Sequence, residues 1–78
     1  MQARAEISFY PLRENYIAPI KGVIEHLNTY EDLAVVTNPM STQVTGDYDA
    51  LMHALTTVCR RAFEQHGKSI FVFKLLPL

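Results

Sequence analysis

A chain of 78 residues has room for one domain and not for two. Its 49% hydrophobic and 19% charged residues, with three glycines and four prolines, exclude disorder, collagen-like repeats and a low-complexity tail. Seven Lys and Arg against eight Asp and Glu leave a net charge of −1, so no basic field exists to hold a nucleic acid or an anionic membrane surface.

From Ala3 to Leu12 the residues alternate, Ala5, Ile7 and Phe9 pointing one way and Glu6, Ser8 and Tyr10 the other. Period two predicts a strand, whose ladder Pro11 stops. Ile17, Ile20, Val23, Ile24 and Leu27 then recur at spacings of three and four, the stripe of an amphipathic helix. Asn15 is the expected N-cap, Pro19 is tolerated in the first turn, and Asn28 is the expected left-handed terminator. Leu33–Asn38 is rich in Val and predicts a second strand, ended by Asn38-Pro39. Ser41–Thr45 is β-branched and alternating and predicts a third, joined by a tight turn. Gly46-Asp47 opens a second helix, with Asp47 as N-cap and Leu51, Leu55, Val58, Ala62 and Phe63 as its buried stripe. Gly67 stops that helix, and Ser69–Leu75 is the last strand.

The order β-α-β-β-α-β is that of a ferredoxin-like α+β sandwich: a four-stranded antiparallel sheet with both helices on one face. In such a sandwich the face away from the helices is polar where it meets water. The last strand breaks that rule, because Ile70 and Val72 alternate with Phe71 and Phe73, making both of its sides apolar. With Tyr10 on the outward side of the first strand, this predicts that a second copy of the chain covers the outer face. One or two exposed Phe on a short strand is the plainer alternative.

Nothing in the sequence assembles a catalytic group. His26, His53 and His66 lie on helices or at a helix end, without the His-x-x-x-His or Glu-x-x-His spacing of a metal site, and read as surface or capping residues. Cys59 adjoins the buried stripe of the second helix and reads as a small core residue, with no base placed to activate it. Glycines 22, 46 and 67 are isolated, so there is no phosphate-binding loop, and the aromatic-plus-basic pattern of an RNA-binding sheet is missing. The longest uncharged stretch, Leu33 to Gly46, is broken by Asn38, Pro39 and several Ser and Thr, and does not span a bilayer. The first six residues carry charges where a signal peptide needs an apolar run, and one cysteine fits a reducing compartment. These features predict a cytoplasmic domain without catalytic residues, metal or cofactor.

What remains is a dense polar segment from Thr37 to Asp47, Thr-Asn-Pro-Met-Ser-Thr-Gln-Val-Thr-Gly-Asp. Its small uncharged side chains mix donors and acceptors, which suits a planar heterocycle with donors and acceptors of its own and would not neutralise a phosphate. Turn chemistry at Asn38-Pro39-Met40-Ser41 and helix entry at Gly46-Asp47 account for the same composition without a ligand.

The run Met40-Ser41-Thr42-Gln43 followed by Gly46-Asp47-Tyr48-Asp49, together with Ala5-Glu6-Ile7-Ser8-Phe9-Tyr10-Pro11-Leu12, resembles the YkoF-like family of thiamine (hydroxymethylpyrimidine) binding proteins. The likeness runs in order over nearly the whole chain, the Met-Ser-Thr…Gly-Asp part being the more specific. Broader relatives often have Gly at the position of Ser41 and Glu at that of Thr45. The resemblance implies a ferredoxin-like fold without enzymatic activity that binds thiamine or its pyrimidine moiety in vitamin B1 uptake or salvage, with thiamine as ligand and not as catalytic cofactor. Relatives carry two such units in tandem, so a homodimer or homotetramer is implied for a chain with one. On that reading Ser8, Asn38, Ser41 and Thr42 match the edge of an aminopyrimidine, Tyr10 or Met40 packs on its face, and Asp47 offsets the thiazolium charge. A different class of function, a regulatory or oligomerisation module that binds another metabolite or a protein through the open sheet face, predicts a flat apolar patch in place of a pocket.

Overall fold

Burial in the computed structural model, which describes residues 1–78, follows the alternation of the first strand. Ala3, Ala5, Ile7 and Phe9 are buried, while Arg4 and Tyr10 between and beyond them are exposed. This strand, β1 (Gln2–Pro11), is followed by α1 (Ile17–Leu27), β2 (Ala34–Thr37), β3 (Thr42–Asp47), α2 (Tyr48–His66) and β4 (Ser69–Pro77). The strands form one antiparallel sheet in the order β2-β3-β1-β4. Fold and element order are those of the ferredoxin-like α+β class.

The core lies between the sheet and the two helices. Val23 and Leu27 of α1 and Leu51, Ala54, Leu55, Val58 and Ala62 of α2 close onto Ala5, Ile7, Phe9 and Val44 of the sheet. Asp47 caps α2 as expected, its carboxylate accepting the Ala50 backbone N–H at 3.3 Å. Gly67 ends α2 at φ +71°, ψ −138°, a conformation that a side chain resists.

Several local expectations are corrected. Asn15 does not cap α1: Tyr16 holds the N-cap position without a side-chain bond, because the helix starts at Ile17, one residue later than an Asn15 cap requires. Asn28 is not left-handed (φ −71°, ψ −9°); its backbone and side-chain N–H groups both donate to the Ile24 carbonyl, which closes the helix without a change of hand. β2 is shorter than expected, since Asn38 is drawn into the turn. β4 runs on through Pro77, because β1 offers partners as far as Ala3. Phe63 is 47% exposed, lying on the flank of α2 beside the edge strand and not over the sheet.

The two faces of β4 are both apolar. The register sets Phe71 beside Phe9, Phe73 beside Ile7 and Leu75 beside Ala5, on the helix side; Ile70, Val72 and Leu76 fall beside Tyr10, Ser8 and Arg4 on the outer side. Ile70, Val72, Leu76 and Tyr10 are all exposed, so the outer face carries an apolar patch crossed by the Glu6–Lys74 ion pair (3.6 Å).

Candidate functional site

The sheet opens at one end. β1 and β3 pair from Gln2↔Asp47 to Ile7↔Thr42 and no further, whereas β1 and β4 stay paired to Pro11↔Ser69. From Ser8 to Pro11, therefore, β1 has a partner on one edge only. The hairpin turn between β2 and β3, Asn38–Ser41, stands across the gap, and α1 roofs it on the helix side. The result is a cleft of about 380 Å³, within the range of small-molecule sites.

Six of the seven residues expected at a site line this cleft: Ser8 and Tyr10 from β1, Asn38, Met40 and Ser41 from the turn, and Thr42 from the start of β3. The seventh, Asp47, does not. It stands at the other end of β3, where it caps α2 and lies 3.7 Å from the chain's N-terminal ammonium. Its helix-capping role accounts for it without a ligand. The sequence reading missed the apolar wall: Ile20, Val23, Ile24 and Leu27 of α1, and Tyr16 at the helix entrance. The helical stripe was visible as a core face, but nothing local marks which part of it faces an opening in the sheet.

The polar groups of the cleft divide into those already engaged and those still free. Asn38 Oδ1 accepts the backbone N–H groups of Met40 (2.8 Å) and Ser41 (3.0 Å), and the Asn38 N–H donates to the Ser41 carbonyl (3.0 Å), an Asx turn that fixes the loop. Thr42, 7% exposed, is held by its cross-strand neighbour Thr37, hydroxyl to hydroxyl at 3.1 Å. The hydroxyls of Ser8 and Ser41 and the amide nitrogen of Asn38 have no partner within the chain. Met40, at 86% exposed, stands at the mouth as an unburied apolar side chain. No carboxylate, imidazole, thiol, ammonium or guanidinium lines the cleft, and its titratable groups are the phenols of Tyr10 and Tyr16.

The two perturbed groups of the chain lie elsewhere. Burial, and after it the Arg61 guanidinium, lowers the pKa of His26, which sits in the groove between the helices. Burial raises that of Cys59, which lines an apolar slot between α2 and β4. No three His, Cys, Asp or Glu residues are grouped as a metal site would need, and no helix is long and apolar enough to cross a membrane.

The model of the YKOF-related family matches residues 2–76. Among solved structures, a Streptococcus pneumoniae protein superposes with a TM-score of 0.92 at 28% identity, covering all of this chain and 88% of its own. A Thermotoga maritima protein, provisionally described as a thiamine biosynthesis/salvage protein, superposes at 0.90 with 15% identity, covering 100% of this chain and 85% of its own. A Methanocaldococcus jannascii protein follows at 0.84 and 25% identity, covering 99% and 80%. No curated protein matches the chain.

Proposed function

Because the chain belongs to the YKOF-related family, we propose that it is a non-catalytic binding protein whose cleft takes thiamine or its hydroxymethylpyrimidine moiety. It would serve vitamin B1 uptake or salvage in the cytoplasm, as a homo-oligomer. The observation that carries this reading is the convergence on one cleft of free, uncharged hydrogen-bonding groups and an apolar wall. The description of the Thermotoga maritima protein as one of thiamine biosynthesis or salvage points the same way.

The chemistry of an aminopyrimidine fits the division of polar groups. Its ring nitrogens accept hydrogen bonds, which the Ser41 hydroxyl and the Asn38 amide can supply. Its exocyclic amine donates, and the same hydroxyl can accept. Each such bond, made in a partly dehydrated cleft, contributes about 0.5–1.5 kcal/mol net, but a competitor that leaves one unmade loses about 1–3 kcal/mol, so the polar edge selects and the wall holds. Ile20 and Ile24 offer that wall to the ring face. With Asp47 placed elsewhere, the positive thiazolium of thiamine has no carboxylate in the cleft to meet, and the ring of Tyr16 at the helix entrance takes that part, worth about 0.5–2 kcal/mol as cation–π attraction.

Calorimetry tests the reading. Ser41→Ala with Thr42→Val should weaken thiamine binding about tenfold or more, the equivalent of one or two hydrogen bonds. Unchanged affinity in a folded double variant would remove this segment from the site. The apolar outer face favours a second reading, a module that binds a protein through the sheet. In that case neither thiamine nor the free pyrimidine binds, and the outer-face variant Val72→Lys abolishes the interaction.

A further inference from the structure

A groove of about 260 Å³ runs between α1 and α2 and shares only Val23 with the cleft. Its floor is apolar, made by Val23 of α1 and by Val58 and Ala62 of α2, all buried. Its rim is polar: Glu25 and His26 from α1, and Arg61, Gln65 and His66 from α2. None of these five side chains has a hydrogen-bond or ion-pair partner within the chain. Each imidazole lies against an aromatic ring, His26 on Tyr30 (centroids 5.7 Å apart) and His66 beside Phe9 (6.5 Å), and both are half-buried. Gly22 also lines this groove, from the middle of α1. Glycine is less favourable there than any residue but proline. A Cβ at Gly22 would meet nothing within 4 Å, so no close packing of the helices calls for it. Its bare flank leaves the groove open where a longer side chain would fill it.

We propose that this groove is a second ligand site, which takes a small carboxylate with an apolar body and a single negative charge. The Arg61 guanidinium is the anchor, since its planar fork matches the two oxygens of a carboxylate. The Gln65 amide and the imidazole N–H groups of His26 and His66 are further donors on the same rim. The floor of Val23, Val58 and Ala62 meets the apolar body, and the volume, just below that of drug-sized sites, suits a smaller molecule. Charge selects among oxyanions. Arg61 and Glu25 offset one another, so no excess of permanent positive charge is present to hold a dianion such as phosphate. One negative charge is balanced when His26 takes up one proton. In the free chain, burial and then the Arg61 charge lower the pKa of His26. A carboxylate set between the two groups opposes the Arg61 effect and favours the imidazolium. Glu25 from α1 and His66 from α2 are the other titratable groups of the groove. Binding therefore takes up a proton and tightens as pH falls toward 5.5.

Benzoate is the probe, titrated into the whole chain and followed by NMR on the imidazole ring protons, with inorganic phosphate as the second arm. At pH 6 benzoate should shift the His26 and His66 resonances along a saturable curve with Kd of about 1 mM or below. Phosphate should bind at least tenfold more weakly. The His26 titration midpoint should rise when benzoate is saturating, and the benzoate Kd should be roughly threefold or more lower at pH 5.5 than at pH 7.5. Arg61→Gln should weaken benzoate about tenfold or more. Gly22→Leu fills the groove with a better helix former; it should weaken benzoate as much while melting at or above the wild-type temperature. Loss of binding in a variant that is no less stable separates occlusion of the site from damage to the fold. No saturable shift up to about 20 mM benzoate would overturn the proposal. So would phosphate binding as tight as benzoate, a His26 midpoint that does not move, or affinity unchanged in both variants. Neither Arg61 nor Gly22 lines the cleft, so thiamine titration of the same samples reads the functional proposal separately.

Discussion

Ile7 faces Thr42 on the last rung shared by β1 and β3, and beyond it the two strands part. Had β3 begun four residues earlier, it would have paired with β1 to Pro11 and filled the gap. Instead the Asn38 side chain bends the chain into a turn through Met40 and Ser41, and the space becomes a cleft under α1. The turn chemistry that ends the sheet and the chemistry that would meet a ligand belong to the same residues.

Tyr16 offers a test of the apolar wall. It lines the cleft from the N-cap position of α1 but makes no capping bond, and it is exposed. Tyr16→Ala should therefore leave stability within about 0.5 kcal/mol of wild type. It should weaken thiamine binding by about 1 kcal/mol, roughly five- to tenfold in Kd, through lost aromatic contact. Melting curves and calorimetry on the same sample check both halves; equal affinity in the variant would move the ligand away from this end of the cleft.

Gly46 is fixed by close approach. A Cβ there would meet Leu33 Cδ2 at 2.5 Å and the Asp32 carbonyl oxygen at 3.2 Å, and Leu33 is itself buried in the core. Gly46→Ala should cost about 1–3 kcal/mol by overpacking, seen as a fall in Tm of roughly 5–20 °C for a domain of this size. A Tm within 2 °C of wild type would mean that the Asp32–Leu33 segment yields freely.

The His26 imidazole gives stability a pH dependence of known sign. Burial and the neighbouring Arg61 hold its pKa below the usual value of about 6.5 in the folded chain. As pH falls through that value the unfolded chain takes up the proton first, so stability falls with it, and the loss levels off below the folded pKa. His66 and Glu25 share the groove, so the comparison is made against His26→Gln. Between pH 7 and pH 5 the wild type should lose more in Tm than the variant. An equal loss would assign the slope to other groups.

The period-two and period-3.6 patterns carried all six elements, because each buries one face and the spacing of Ala5, Ile7 and Phe9 or of Leu51, Leu55 and Val58 records which. Asp47 and Gly67 marked the ends of α2 through chemistry that acts within four residues. What these patterns do not record is which strand lies beside which, and to what length. The Ser8–Pro11 gap exists because β3 starts at Thr42, a long-range fact of register, so the cleft was visible as a polar segment and, through the family resemblance, as Ser8 and Tyr10; Ile20 was visible as a core residue and Tyr16 not at all. Asp47 was grouped with Ser41 and Thr42 by nearness in sequence, yet an extended strand carries it to the opposite end of the sheet. Phe63 has the spacing of a core residue, but the sheet ends at β4 before it can cover that position.

The deciding measurement is a titration of the wild-type chain with thiamine and with free hydroxymethylpyrimidine, followed by calorimetry and by melting temperature. Saturable binding of at least one of the two at one site per chain is expected, with a gain of about 2.7 kcal/mol when the ligand stands at a hundred times its Kd, a rise in Tm on the order of 10–20 °C. No heat and no shift at millimolar concentrations of either compound would contradict the assignment of the cleft between β1 and the β2–β3 turn to a pyrimidine ligand.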